Sequence, residues 1–414
     1  MAITLTRRRF VELGASSGLL LSRNVHALVG PPADGRVKAC ISVFLHGGPS
    51  QIDTWDPKPG RPTGGPFATI PTALSDVHVS EHLPHLALRA ERLAIVRSVA
   101  CSEPSHDRAI HFMRTSYPPQ RGTGYPPVYA LFARGRRPPL VPSSVAVGHE
   151  SYDPGLLGRA HAPLVVRVPH TAASSFTPVI RVSPERQQRR IARWRTREEQ
   201  LLSNLGDPEL RARREIFEEA LAMLDGDKNR QMFDISRESV DTRDRFGRST
   251  FGEACLLSRR LIEGGVPFVE ITQSGWDTHA DNFARVERLS HALDQGLAAL
   301  LDDLKSSGLL QQTLIVCMGE FGRTPKINDN AGRDHYPAVS AAVLAGAGIR
   351  TGQVLGATDD DGIAITERPV PLTDLLRTIA VTLGVDPDEV HVTDKGRPFS
   401  TIDGGTVVPE LLDR

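Results

Sequence analysis

Apolar residues in this chain come in short unbroken runs, separated by longer stretches with helical spacing. Lys38 to Leu45 (KACISVFL) is a nearly continuous apolar run, the pattern of a strand buried on both faces. Leu93 to Val99, Val266 to Thr272, Thr313 to Met318 and Ala338 to Ala345 are further strand candidates. Phe251 to Glu263 reads as an amphipathic helix. Phe283 to Ser306 reads as a long one, with Leu289, Leu293, Leu297, Leu300, Leu301 and Leu304 near helical spacing, and Leu372 to Leu383 as another. This alternation predicts an α/β fold with a mostly parallel sheet and helices on both faces.

Two regions interrupt the alternation. Residues 117–185 are rich in proline and glycine, with brief apolar runs such as Leu164 to Val168. They read as an irregular insertion near the mouth of a site. Glu185 to Asp225 is highly charged and helix-prone. It reads as a surface helix with Trp194, Leu201 and Leu205 packed inward. Together these form an insertion over about 117–245 within one domain spanning 36–404.

The chain has 414 residues, enough for a sizeable core. Its 49 basic and 49 acidic side chains cancel, so the charge balance suggests no nucleic-acid partner. The four cysteines are widely spaced, without a Cys-x-x-Cys pair, which argues against a cysteine-rich zinc module. Cys40 and Cys317 fall in apolar runs and are expected to be buried thiols. At the N-terminus, Thr6-Arg7-Arg8-Arg9-Phe10-Val11, a mildly apolar Leu13 to Leu21 and Val25-His26-Ala27 come in the order of a twin-arginine export signal. The apolar run is too short to span a bilayer. The expectation is cleavage near Ala27 and a periplasmic or extracellular mature protein without a membrane span.

Candidate chemistry gathers where strand-like runs end. The first run ends in His46-Gly47-Gly48-Pro49-Ser50-Gln51-Ile52-Asp53-Thr54. There the glycines allow a sharp turn, His46 and Asp53 are possible metal ligands, and Ser50 and Thr54 are possible nucleophiles. Ser105-His106-Asp107-Arg108 opens a helix, with Ser105 suited to the N-cap. Asp277 and His279 stand in Gly-Trp-Asp-Thr-His, Glu320 and Arg323 in Gly-Glu-Phe-Gly-Arg, and Asp334 and His335 in Gly-Arg-Asp-His-Tyr-Pro. Each cluster alone reads equally as a solvated polar loop or an ion pair. In order at successive strand ends, carboxylates and imidazoles suit a divalent-metal hydrolytic site. Arg323 is placed to hold a phosphate or sulfate bidentately.

The order HGGPSQIDTWDPKP, GWDTHADNF, MGEFGRTPKIN, GRDHYP and VPLTDLLRTIAVTLGVD resembles the family called domain of unknown function 1501, over roughly residues 36–404. That family is placed in the alkaline phosphatase-like superfamily, with sulfatases and phosphodiesterases. The resemblance implies a doubly wound α/β sandwich with metal at the strand ends. It implies that His46 stands where superfamily enzymes place a first-strand Asp, that Asp277 and His279 match an Asp and His on one zinc, and that His335 completes the set. The sulfatase Cys-x-Pro-x-Arg motif is absent: Cys101-Ser102-Glu103-Pro104 is one residue out of register and lacks the Arg. The nucleophile position falls at Ser105 or His106, unless a metal-activated water serves.

The reading is an exported hydrolase of phosphate or sulfate esters. Its metal set would be His46, Asp53, Asp277, His279, Glu320, Asp334 and His335, holding zinc, manganese or calcium. Ser105, His106 and Arg323 would be its catalytic groups, and an anionic ester or a sulfated or phosphorylated glycan its substrate. Two alternatives stand beside it. One is a non-catalytic member of the fold that binds an envelope glycan or partner protein. The other is a metal that only staples long loops.

Overall fold

A computed structural model describes residues 37–413, apart from 121–122, 137–140, 149–151, 177–182, 206–207, 225–226 and 394–395. The segment expected to be an export signal, residues 1–27, lies outside the described residues.

Among the described residues nine strands form the central sheet. In chain order they are β1 (Ala39–His46), β2 (Leu93–Ala100), β3 (Ser144–Val147), β4 (Leu164–Val166), β5 (Phe268–Ser274), β6 (Thr313–Met318), β7 (Ser340–Gly346), β8 (Gln353–Leu355) and β9 (Val370–Pro371). Their spatial order is β8-β2-β7-β6-β1-β5-β3-β4, with β9 also beside β2. β1 pairs in parallel with both β5 and β6, so His46 lies opposite Ser274, and Phe44 opposite Met318. β7 runs against both neighbours, β2 and β6; the remaining pairings are parallel. A parallel return needs a crossover, usually a helix. The connection from β6 to β7 over residues 319–339 contains no helix, and the chain doubles back instead.

β1 shows why the fold has three layers. Ile41, Val43 and Leu45 face one core, shared with α5 (Thr250–Glu263) and α6 (Asn282–Ser306). Cys40 and Phe44 face the other, shared with α1 (His106–Thr115), α2 (Val128–Arg134) and α7 (Leu372–Thr382). A strand covered on both sides is apolar at nearly every position, and in β1 the buried Ser42 is the exception before His46. Burial pushes the Cys40 and Cys317 thiols up, away from the reactive thiolate form.

The region read as an irregular insertion is partly sheet. β3 pairs with β5, and β4 with β3, so Ser144–Val147 and Leu164–Val166 widen the sheet. Runs this short show little periodicity, and pairing to β5 decides them. The strand expected from Val266 begins at Phe268, because Pro267 has no N–H for a ladder. The charged segment forms α3 (Pro184–Leu205) and α4 (Pro208–Leu224). Trp194 is half-buried against Phe217, with ring centroids 4.0 Å apart. Leu201 is half-buried, and the Leu205 side chain lies outside the described residues. Among the described residues no helix is long and apolar enough to cross a membrane.

Candidate metal site at the strand ends

Because β1, β2, β5 and β6 point the same way, their exit loops share one edge of the sheet, together with the entry to β7. β1 exits into Gly47-Gly48, β2 toward Pro104-Ser105 and the first turn of α1, β5 into Gly275–His279, and β6 into Gly319–Arg323. Gly322–Arg323 then pairs antiparallel with His335–Tyr336, which folds the 332–336 turn back over the edge. Close approach demands glycine at two points. A Cβ on Gly47, at φ 111°, would lie 2.3 Å from the Asp277 amide, and one on Gly332 would lie 1.9 Å from the His279 carbonyl.

Three imidazoles converge on one carboxylate oxygen. Asp277 Oδ1 lies 3.1 Å from His279 Nε2, 3.4 Å from His106 Nε2 and 3.4 Å from His335 Nε2. His279 Nε2 and His335 Nε2 are 3.0 Å apart. The far nitrogen of each ring has its own partner. His106 Nδ1 donates to Glu320 Oε1 at 2.6 Å, His279 Nδ1 to Asp334 Oδ1 at 2.7 Å, and His335 Nδ1 to the Pro104 carbonyl at 2.7 Å. A proton held at Nδ1 leaves the Nε2 lone pair of a neutral ring pointing inward.

The electrostatics keep this centre poised. Burial works against Asp277, yet the Arg323 guanidinium at 2.6 Å and the nearby imidazoles outweigh it and hold its carboxyl down to about 2. The bond to Glu320 raises His106, whereas burial lowers His335. The Asp277 side chain remains 46 % exposed, so the cluster opens to solvent.

Other candidates are committed elsewhere. Glu320 is buried; its oxygens accept from His106 and from the Gly47 and Gly48 amides at 3.0–3.2 Å. It orients a ring and closes the β1 turn. Asp53 is fully buried in a two-point pair with Arg333, at 2.7 and 3.0 Å, and accepts from Asn282 Nδ2 at 2.8 Å. The structure does not bring it to the cluster. Arg323 donates to the carbonyls of Gly47, Gly48 and Arg333 and to Asp277. With its side chain wholly buried, it cannot also clamp an anion. Ser50 Oγ accepts the Asp53 amide, and Thr54 Oγ1 donates to the Ser50 carbonyl; both hydroxyls are spent in the turn. Ser105 occupies the N-cap position of α1, but its hydroxyl makes no cap bond. His46 is half-buried, its ring 6.2 Å from that of His106.

Two residues take their roles only from the tertiary structure. Arg333 ties the excursion after β6 to the loop after β1. Phe321, which cannot ligate, packs its buried ring 4.9 Å from His106 and 4.6 Å from His335, and so fixes the tilt of both imidazoles.

A doubly wound, mostly parallel α/β sheet with a histidine–aspartate cluster at its strand ends defines the class. Within it, the chain belongs to the family described as protein of unknown function (DUF1501), which matches residues 37–412. No curated protein matches the chain. Among solved structures it is similar to a protein in the alkaline phosphatase superfamily from Vibrio parahaemolyticus, with 12 % identity, 86 % of this chain and 69 % of that one covered, and a TM-score of 0.43. It is similar to the C-terminal periplasmic domain of EcEptC from Escherichia coli in complex with Zn, with 8 % identity, 87 % and 88 % covered, and a TM-score of 0.45. It is also similar to the PsFucS1 sulfatase from Pseudoalteromonas sp., with 14 % identity, 88 % and 70 % covered, and a TM-score of 0.42.

Proposed function

We propose that this chain is an exported, metal-dependent hydrolase of phosphate or sulfate esters, with anionic esters such as sulfated or phosphorylated glycans as its substrate class. The observation that carries the reading is the meeting of His279 Nε2 and His335 Nε2 at 3.0 Å beside Asp277. With both Nδ1 atoms donating outward, two neutral rings at that distance repel unless a proton or a metal ion lies between them. His106 Nε2 is buried and lacks a hydrogen-bond partner, a cost that a bound ion removes. His106, Asp277 and His335 offer donor atoms all within 4.8 Å of one another, and His279 adjoins them. Three imidazole nitrogens with one carboxylate suit zinc better than manganese or calcium.

A bound ion supplies Lewis acidity, withdrawing charge from an ester oxygen and acidifying a water. The chain's own residues do the rest. His106, Asp277, His279 and His335 hold the ion. Glu320, Asp334 and the Pro104 carbonyl fix which ring nitrogen faces it. Arg323 keeps Asp277 ionised and in place. Ser105 offers an exposed hydroxyl at the start of α1, where unpaired amides favour an anion. This assignment moves His106 from nucleophile to ligand and leaves Ser105 or a water to attack. The ester class follows from the motif order of the family, and export from the basic, apolar and small-residue zones of residues 1–27.

Elemental analysis of mature protein purified without chelator tests the reading. Zinc or manganese, with the strand-end equivalent lost in His335→Ala, together with turnover of a nitrophenyl phosphate or sulfate, is expected. A folded, metal-free protein that gains no stability from zinc, manganese or calcium overturns it. Bound metal without turnover of any ester would favour the non-catalytic, envelope-binding alternative.

A further inference from the structure

A second set of ligand-type side chains lies on the outer face of α6. Glu287 and His291 stand four residues apart on that helix, so they share a face one turn from each other. His82 reaches them from the loop before Pro84. Its Nδ1 is 3.3 Å from His291 Nε2. Donor atoms of all three residues lie within 4.8 Å of one another. Phe67 packs edge-on against the His82 ring, with centroids 4.3 Å apart, and limits its rotation.

At 3.3 Å the two nitrogens stand within hydrogen-bond reach of each other, and that separation has a second reading. It equals the roughly 3.3–3.4 Å separation of two nitrogens bound to one tetrahedral ion at about 2.0–2.1 Å. Two imidazoles and a carboxylate, with a fourth position open to solvent, are a donor set for zinc rather than for calcium or magnesium.

The surroundings show what such an ion would do. The chain from His82 to Arg92 lies along α6. Asp294 accepts the amides of His85 and Leu86 at 2.9 and 2.7 Å, and one turn or more beyond it Asp302 accepts from Arg89 and Arg92. The histidine–glutamate set is at the other end of this ladder, toward the start of α6. There Asn282 bonds Thr278 and Asp53 beside the strand-end cluster.

We propose that His82, Glu287 and His291 bind a second divalent ion, zinc, that staples the loop after the His78–Ser80 strand to the first turns of α6. The strand-end site is separate, and this proposal does not depend on its chemistry.

Zinc titration of full-length mature protein, stripped and then reloaded, tests it, with stoichiometry and melting temperature as readouts. His335→Ala should retain one zinc equivalent that raises the melting temperature. That equivalent should vanish in His335→Ala/His291→Ala, and Glu287→Gln should weaken it about tenfold or more. His291→Ala alone should leave ester turnover, where present, unchanged. A His335→Ala protein that binds no zinc, or a His291→Ala protein with unaltered stoichiometry, overturns the proposal. A protein whose only zinc is lost in His291→Ala and kept in His335→Ala would support it while removing the strand-end reading, so the two failures are distinct.

Discussion

His106 and Glu320 are 214 positions apart in the chain and joined by a 2.6 Å hydrogen bond from Nδ1 to Oε1. The same carboxylate accepts the Gly47 and Gly48 amides. One buried side chain therefore sets the tautomer of an imidazole and the shape of the turn after β1. Losing an acceptor behind a ligating histidine typically costs 10–100-fold in metal affinity. Glu320→Gln should weaken zinc binding by about that factor. It should also destabilise the fold, because the amide cannot accept at both ends. Asp334→Asn, on the exposed side of the cluster, should weaken zinc with little loss of stability. Competition with a chromogenic chelator measures both, and equal affinity in wild type and both variants would contradict the outer-acceptor role.

The Asp53–Arg333 pair is expected to matter for stability rather than turnover. Both side chains are fully buried, and removing one charge strands the other. Breaking a buried pair costs about 3–5 kcal/mol. Arg333→Met should lose that much in urea unfolding, and Asp53→Asn somewhat less, since Asn282 still has a partner. A loss below about 1 kcal/mol in Arg333→Met would place the pair among inconsequential contacts.

Gly47 is predicted to admit no side chain. Its φ of 111° and the 2.3 Å approach of a Cβ to the Asp277 amide combine backbone strain with a clash against main chain. Gly47→Ala should cost about 2 kcal/mol or more and displace Asp277, lowering metal affinity as well. A variant with wild-type melting and zinc binding would show that the turn is adaptable.

Asp302 allows a pH prediction away from the cluster. Burial raises its carboxyl, but bonds from Arg89 and Arg92 prevail and hold it below the usual range. A carboxyl depressed in the fold stabilises above its unfolded value, about 3.9. That contribution is lost as pH falls through the folded value. Asp302→Asn should therefore lower stability at pH 7 by about 1 kcal/mol and flatten the decline below about pH 4. Parallel acid limbs for wild type and variant would rule this out.

The sequence by itself determined the layers and the edge on which chemistry gathers. The nearly continuous apolar runs at β1 and β6 have the length and pattern of strands covered on both faces, and the leucines of α6 mark a helix face that packs inward. Polar turns at the ends of parallel strands then necessarily meet. What the tertiary structure alone decided is which atom of each polar residue faces inward. Asp53, Glu320 and Asp277 are all acids in strand-end loops. Yet Asp53 is spent on Arg333, Glu320 on two amides and His106, and Asp277 stands among three imidazoles. Chemical type and local spacing are the same in kind for all three. The difference lies in partners tens to hundreds of residues away, brought close by strand order and by a β6–β7 connection too irregular for periodicity to reveal. The short strands β3 and β4 were hidden for the same reason: only the neighbouring strand β5 makes them part of a sheet.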